Sequence, residues 1–159
     1  MAAEDVFSLL TLEENSKLQV GVSFYEIYCG KSFDLLNERK FCPIRVDGRE
    51  AVNVVGLTEH LVENVESLMS LIVYGLSVRV TGQTGANDQS SRSHAVLQIS
   101  IRTSRNKLKG KLNFIDLAGS ERCGSNGATG QRFTEGTRIN VSLTTLSSVI
   151  SALARKVKL

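Results

Sequence analysis

The clearest pattern in the sequence is alternation. In L-Q-V-G-V-S-F-Y-E-I-Y, residues 18–28, Leu18, Val20, Val22 and Phe24 fall on one side. This predicts a strand with one buried face. A second pair of alternating segments follows. Ala95, Leu97, Ile99 and Ile101 interleave with Val96, Gln98, Ser100 and Arg102, S-R-N-K at 104–107 turns the chain, and K-L-N-F-I-D-L at 111–117 returns. These segments predict a β-hairpin. Phe114, Ile115 and Leu117 are apolar nearly in succession, which predicts a returning strand buried on both faces.

Other stretches repeat at helical spacing. Val65, Leu68, Ile72 and Leu76 share a face, with Asn64 as N-cap, and predict a helix over 65–78. Gly75 should weaken its C-terminal half. Ile139, Leu143, Leu146, Ile150 and Leu153 form one apolar stripe and predict a helix from 135 or 137 to 154. Its other face, Thr144, Thr145, Ser147, Ser148 and Ser151, has modest helix propensity, so tertiary contacts must hold it. Residues 3–10 read as the last turns of a helix with Val6, Leu9 and Leu10 on one face, which suggests an element begun upstream of Met1.

The intervening segments are irregular. C-G-K-S (29–32) predicts a turn and D-L-L-N (34–37) a short turn or 3₁₀ piece. Residues 38–51 carry Arg39, Lys40, Arg45, Arg49 and the only proline, Pro43. They predict an exposed basic excursion with short strands near 43–46 and 52–55. The polar run 81–93 is a loop long enough to suggest function or mobility. Residues 123–134 hold three glycines and no core pattern and predict a flexible loop.

Composition bounds the answer without choosing it. A chain of 159 residues with 42% apolar content suits one domain with a sizeable core. No apolar run approaches the roughly 18 residues of a membrane span, and the first residues show no basic signal-peptide region. Cys29, Cys42 and Cys123 are far apart and form no C-x-x-C, which predicts three free thiols. Residues 1–78 hold 6 Lys/Arg against 12 Asp/Glu, a net of −6, and residues 79–159 hold 13 against 4, a net of +9. The basic half could face nucleic acid, an anionic lipid surface or an acidic protein polymer, or simply balance the acidic half.

Candidate chemistry gathers in residues 86–122. Gly30-Lys31-Ser32 is a decoy for a phosphate loop. The first glycine of G-x-x-x-x-G-K-[ST] would fall at Tyr25, where a backbone nest for phosphate cannot form. No other G-K-[ST] is present. Asp116-Leu117-Ala118-Gly119 ends a strand. An Asp there can hold Mg²⁺ through water, and the glycine lets backbone approach a phosphate; it can also simply start a turn. Ser90, Ser91 and Ser93 surround Arg92. Hydroxyls and a guanidinium suit a metal ion and phosphate oxygens, or a solvated loop. His94 reads as a satisfied structural histidine, and His60 is isolated.

The combination is more specific than its parts. N-x-x-S-S-R-S-H, a hairpin, D-L-A-G-S-E-R, a glycine-rich loop and R-I-N-x-S-L-x-x-L-x-x-V-I-x-A-L resemble the kinesin motor domain from end to end. Y-E-I-Y-C-G-K-S-F-D-L-L-N-E-R and T-G-Q-T-G-A-N-D-Q-S-S-R-S-H look most like its internal-motor, microtubule-depolymerising class. The implied fold is α/β: a central, mainly mixed sheet flanked by helices, an incomplete kinesin-type P-loop NTPase core without its phosphate-loop strand.

The resemblance implies the roles. Residues 87–94 would be the first switch, with Asn87, Ser90 and Ser91 sensing ATP and Mg²⁺. Residues 116–122 would be the second, with Asp116 on the metal side and Gly119 at the γ-phosphate. Ser91, Arg92 and Glu121 would serve catalysis, the last two as a latch between switches; Ser91 and Asp116 would be the metal residues. Residues 123–158 would face the microtubule. Arg132, Arg138, Arg155, Lys156 and Lys158 there, and Arg39, Lys40 and Arg45 in the excursion, would contact acidic tubulin. Val141 replaces the lysine of the family's I-N-K-S-L phrase.

The family implies microtubules as partner, no nucleic acid and no membrane, and a cytoplasmic, microtubule or spindle location. Residues 1–159 would be the central part of a motor domain of roughly 330 residues. Without the phosphate loop the chain would be inactive alone, and apolar surface beside its missing strand would lie open. The alternatives are a non-catalytic microtubule-binding module and a nucleotide switch outside the family.

Overall fold

A computed structural model describes residues 2–10, 17–81, 92–119 and 131–156; the side chains of 2, 3, 9, 81, 131–139 and 153–156 are outside the description. The alternating segment forms β1, Leu18–Tyr28, with Val20, Val22 and Phe24 all buried. Cys29 (φ 50) and Gly30 (φ 76) then reverse the chain. Two successive positive φ values are what a tight two-residue hairpin loop needs, and the second falls on glycine, which adopts it without strain.

The predicted turn at 29–32 is therefore shorter than the sequence suggests. Lys31–Asp34 is already strand β2, paired antiparallel with β1 from Tyr28↔Lys31 to Tyr25↔Asp34. Lys40–Phe41 (β3) extends this side. Ile44–Val46 (β4) and Val52–Val54 (β5) form the separate hairpin expected in the basic excursion. His60–Val62 (β6) also pairs with β1, at Val20–Val22; it is not among the expected strands, because three residues are too few to show a period.

The long hairpin is present as His94–Thr103 (β7) and Leu108–Asp116 (β8). The sheet order is β3-β2-β1-β7-β8, with β6 beside β1, and every pairing among the described strands is antiparallel. Ala2–Leu10 (α1) and Val65–Thr81 (α2) cover one face. Val6, Phe7 and Leu10 of α1 and Leu68 and Ile72 of α2 pack on the β1 core. Asn64 is the N-cap, its Oδ1 accepting the Ser67 N–H at 2.8 Å. α2 continues three residues past the predicted end, through Gly75.

Two carboxylates, one buried and one half-buried, organise the irregular segments. Asp34 is fully buried; its Oδ1 accepts the Leu36 N–H at 2.9 Å and its Oδ2 the Thr58 N–H at 2.8 Å. Glu59 accepts from Ser100 Oγ at 2.6 Å and from both Nε and Nη2 of Arg102, at 2.6 and 3.2 Å. Burial pushes the Glu59 carboxyl up, but those hydrogen bonds and the Arg102 and Lys111 charges outweigh it and hold it below the usual value. Cys29 and Cys42 are free thiols, as expected; Cys123 lies outside the described residues.

β8 departs from expectation. It should be buried on both faces, yet Phe114 is 48%, Ile115 57% and Leu117 44% exposed. Among the described strands β7 alone pairs with it, and α1 and α2 leave an apolar cavity of about 490 Å³ over Ile99, Leu112 and Phe114. Gln131–Lys156 (α3) begins earlier than predicted. On its predicted stripe Leu143 and Leu146 are half-buried and Ile150 is exposed. The glycine-rich loop lies outside the described residues except for 131–134, which are helical.

Candidate functional site

Three elements meet where β7 begins and β8 ends. Ala95 and Asp116 are register partners. The residues just before Ala95 therefore lie beside those from Asp116 onward, which brings Ser93 and His94 next to the Asp116–Gly119 turn.

Arg79, in the last turn of α2, joins the two. Its side chain is only 7% exposed. Nη1 donates to Asp116 Oδ2 at 2.7 Å, and Nη2 donates to the Ser93 carbonyl at 3.0 Å and to Ser93 Oγ at 3.4 Å. The planar fork of an arginine suits two acceptors at once, and a cation is favourable at a helix C-terminus. Asp116 is 70% exposed, so water screens that ion pair and its contribution is about 1 kcal/mol or less. The bond to the buried Ser93 is the more stringent one, since an unpaired carbonyl there would have no water to turn to.

His94 makes a second junction. Its Nδ1 accepts the Ala118 N–H at 3.0 Å, and its Nε2 lies 2.8 Å from Ser142 Oγ of α3. Burial, and then the Arg79 charge, hold its pKa below the ordinary histidine value of 6.5, with Asp116 opposing them. A pKa depressed on folding means the unfolded chain takes up the proton first. The stabilisation from neutral His94 is therefore complete above pH 6.5 and is lost as pH falls toward the folded value. Urea midpoints at about pH 7.5 and about pH 5.5 should fall further for the wild type than for His94→Gln. Equal falls would show that this ring does not titrate differently in the folded state.

Some residues singled out in the sequence come together here. Asp116 and Gly119 share the turn after β8, and Arg92, half-buried, precedes Ser93 at the start of β7. Asn87, Ser90, Ser91 and Glu121 lie outside the described residues, as do Lys158 and the side chains of Arg132, Arg138, Arg155 and Lys156. In the excursion Lys40 and Arg45 are exposed. Arg39 turns inward, paired with Glu26 and 5.5 Å over the Phe33 ring.

Asp116 fits a water-mediated contact with a cation, since its carboxylate is largely open and carries one arginine partner. It is a poor sole ligand, and the other residues the resemblance assigns to Mg²⁺ are not described. The sequence reading missed Arg79 entirely. The available signal was the helix's one cation, set between Val78 and Val80.

Comparison with known proteins gives a consistent result. Residues 1–159 match the family described as kinesin motor domain. The chain is 47% identical over 155 residues to the human kinesin-like protein KIF24, covering 96% of this chain and 11% of that protein. It is 46% identical over 162 residues to the kinesin-like protein KIN-13B of Arabidopsis thaliana, again over 96% of this chain and 24% of the relative. A KIF14 dimer solved with AMP-PNP in complex with a microtubule superposes with a TM-score of 0.73 at 33% identity, over 97% of this chain and 47% of that one. A fast kinesin superposes with a TM-score of 0.70 at 33% identity, over 87% and 41%. The chain thus spans a tenth to a quarter of these curated relatives and under half of the solved motor chains.

Proposed function

This chain belongs to the kinesin motor domain family, and we propose that in its complete parent it is the switch-bearing part of a microtubule motor or depolymerase driven by ATP hydrolysis. The observation that carries the reading is Arg79, which bridges Ser93 at the end of the serine-rich segment to Asp116 at the start of D-L-A-G. Two segments that would sense one γ-phosphate are thereby held at one place. Asp116 would face Mg²⁺ through water and Gly119 the phosphate. Asn87, Ser90 and Ser91 would complete the site, with Arg92 and Glu121 as the latch. The phrases shared with the internal-motor class and the 46% identity to KIN-13B favour depolymerisation over walking. The parent would work in the cytoplasm on microtubules, the spindle included.

Track contact would come from the exposed Lys40 and Arg45 and from the cations of 132–158. The inward pairing of Arg39 makes it the weakest member of that set. A second reading has its own support. No G-x-x-x-x-G-K-[ST] occurs in these 159 residues, so a non-catalytic microtubule-binding module is the alternative.

Two measurements on the chain test these readings. Calorimetry should show no ATP affinity in the micromolar range, because neither phosphate cradle nor lysine is present; micromolar binding would overturn that part. The chain should pellet with microtubules, and less so as salt rises to about 0.15 M and beyond, where the screening length is about 8 Å. Failure to pellet at low salt would remove the track contact from both readings, and salt-independent pelleting would remove the cations from it.

A further inference from the structure

The two ring nitrogens of His94 serve different elements. Nδ1 accepts the Ala118 N–H in the turn after β8. A nitrogen that accepts carries no proton, so the neutral ring holds its proton on Nε2. That N–H then donates to Ser142 Oγ on α3. The backbone of His94 is itself fixed, opposite Ile27 in the β1–β7 ladder. The ring is therefore a rigid body with one end on the D-L-A-G turn and the other on the long helix.

α3 has little else to hold it among its described side chains. Asn140, Leu143 and Leu146 are half-buried, while Val141, Val149 and Ile150 are at least 50% exposed. One directed hydrogen bond then matters more to its placement than it would on a well-packed helix.

We propose that His94 is a positioning residue that ties the Asp116–Gly119 turn to α3. If the Ala118 N–H moves, Nδ1 loses its donor, the preference for the Nε2–H tautomer relaxes, and the bond to Ser142 weakens with it. The same link runs in reverse, since coupling between two sites is reciprocal. Its consequence for a motor rests on the switch reading above; the link itself does not, and can be measured without nucleotide or microtubules.

The test uses the 159-residue chain and NMR. The ¹⁵N shifts of the ring should show Nε2 protonated and Nδ1 an unprotonated acceptor. Ser142→Ala, on an exposed helical position, should raise exchange of the Ala118 amide by about two- to fivefold, up to the loss of one ordinary net hydrogen bond, and should mix the ring tautomers. Ser142→Thr keeps the hydroxyl and should restore both readouts. His94→Asn, whose Oδ1 replaces Nδ1 but cannot reach α3, should keep Ala118 protected while exchange near residue 142 rises.

The opposite result is equally definite. If Ser142→Ala leaves the ring shifts and Ala118 exchange at wild-type values, His94 satisfies two groups independently and ties nothing. A chain that shows the coupling but does not pellet with microtubules would remove the track contact from the functional reading and leave this one standing.

Discussion

Alanine at Gly75 is expected to destabilise the fold, although alanine is the better helix former. In a helix interior the exchange should gain about 1 kcal/mol from propensity alone. A Cβ at Gly75, however, would overlap the edge of the Phe24 ring, coming within 2.9 Å of Cε1, and would press on Leu36 Cδ2 at 3.4 Å. Phe24 is 5% exposed and belongs to the core cluster, so making room for a methyl means shifting the ring off its present packing. Overpacking of that kind costs about 1–3 kcal/mol, which leaves a net loss of up to about 2 kcal/mol for alanine and a larger one for valine. Urea denaturation measures both. A double-mutant cycle isolates the cause. In a Phe24→Val background, which has no δ-carbon to collide with, Gly75→Ala should become neutral or stabilising. If the alanine destabilises equally in both backgrounds, the close approach of α2 to β1 is not its reason.

Gly75 also shows where sequence reading succeeds and fails. Local statistics treat it as a weak point in a helix. Tertiary packing makes it the place where α2 can lie close to β1, and no local pattern carries that information. The long periodic elements were legible because burial of one face imposes the period directly: β1, the β7–β8 hairpin, α2 with its Asn64 cap, and α3. β2 and β6 were not legible, since four and three residues are too short for a period and their pairing is decided by β1. β8 was misread because an apolar run reports what a strand is suited to touch, whatever lies beside it here.

The site divides in the same way. Asp116, Gly119 and Arg92 could be singled out because motif spacing places them at the ends of strands. Arg79 and Ser142 could not, because each acts through a partner far away in the chain, Asp116 and His94 respectively. His94 was legible only as a histidine with satisfied bonds. That both bonds lead to elements on which the proposed switching would depend is visible only in three dimensions.

Asp34→Ala is expected to cost about 3 kcal/mol, because it strands two backbone donors at once, each worth about 1–3 kcal/mol when left buried and unpaired. In the sequence D-L-L-N reads as a small turn. In the structure Asp34 closes that turn through Leu36 and also holds Thr58, twenty-four residues on, at 2.8 Å. Thr58 Oγ1 also accepts from Asn37 Nδ2 at 3.3 Å, so Thr58 is tied to this turn at two points, one of them the Asp34 carboxylate. Glu59, next in line, carries the bonds to Ser100 and Arg102. Losing Asp34 should therefore loosen the attachment of the basic excursion to the sheet as well as lower the midpoint. Asp34→Asn separates the two bonds. Its amide can present one oxygen, to Leu36 or to Thr58, and must turn an N–H₂ toward the other donor. It should lose about half as much stability as alanine, with fast amide exchange at one of the two positions only. Wild-type stability in Asp34→Asn would mean that a single bond carries the turn and that the excursion is held by Glu59 alone.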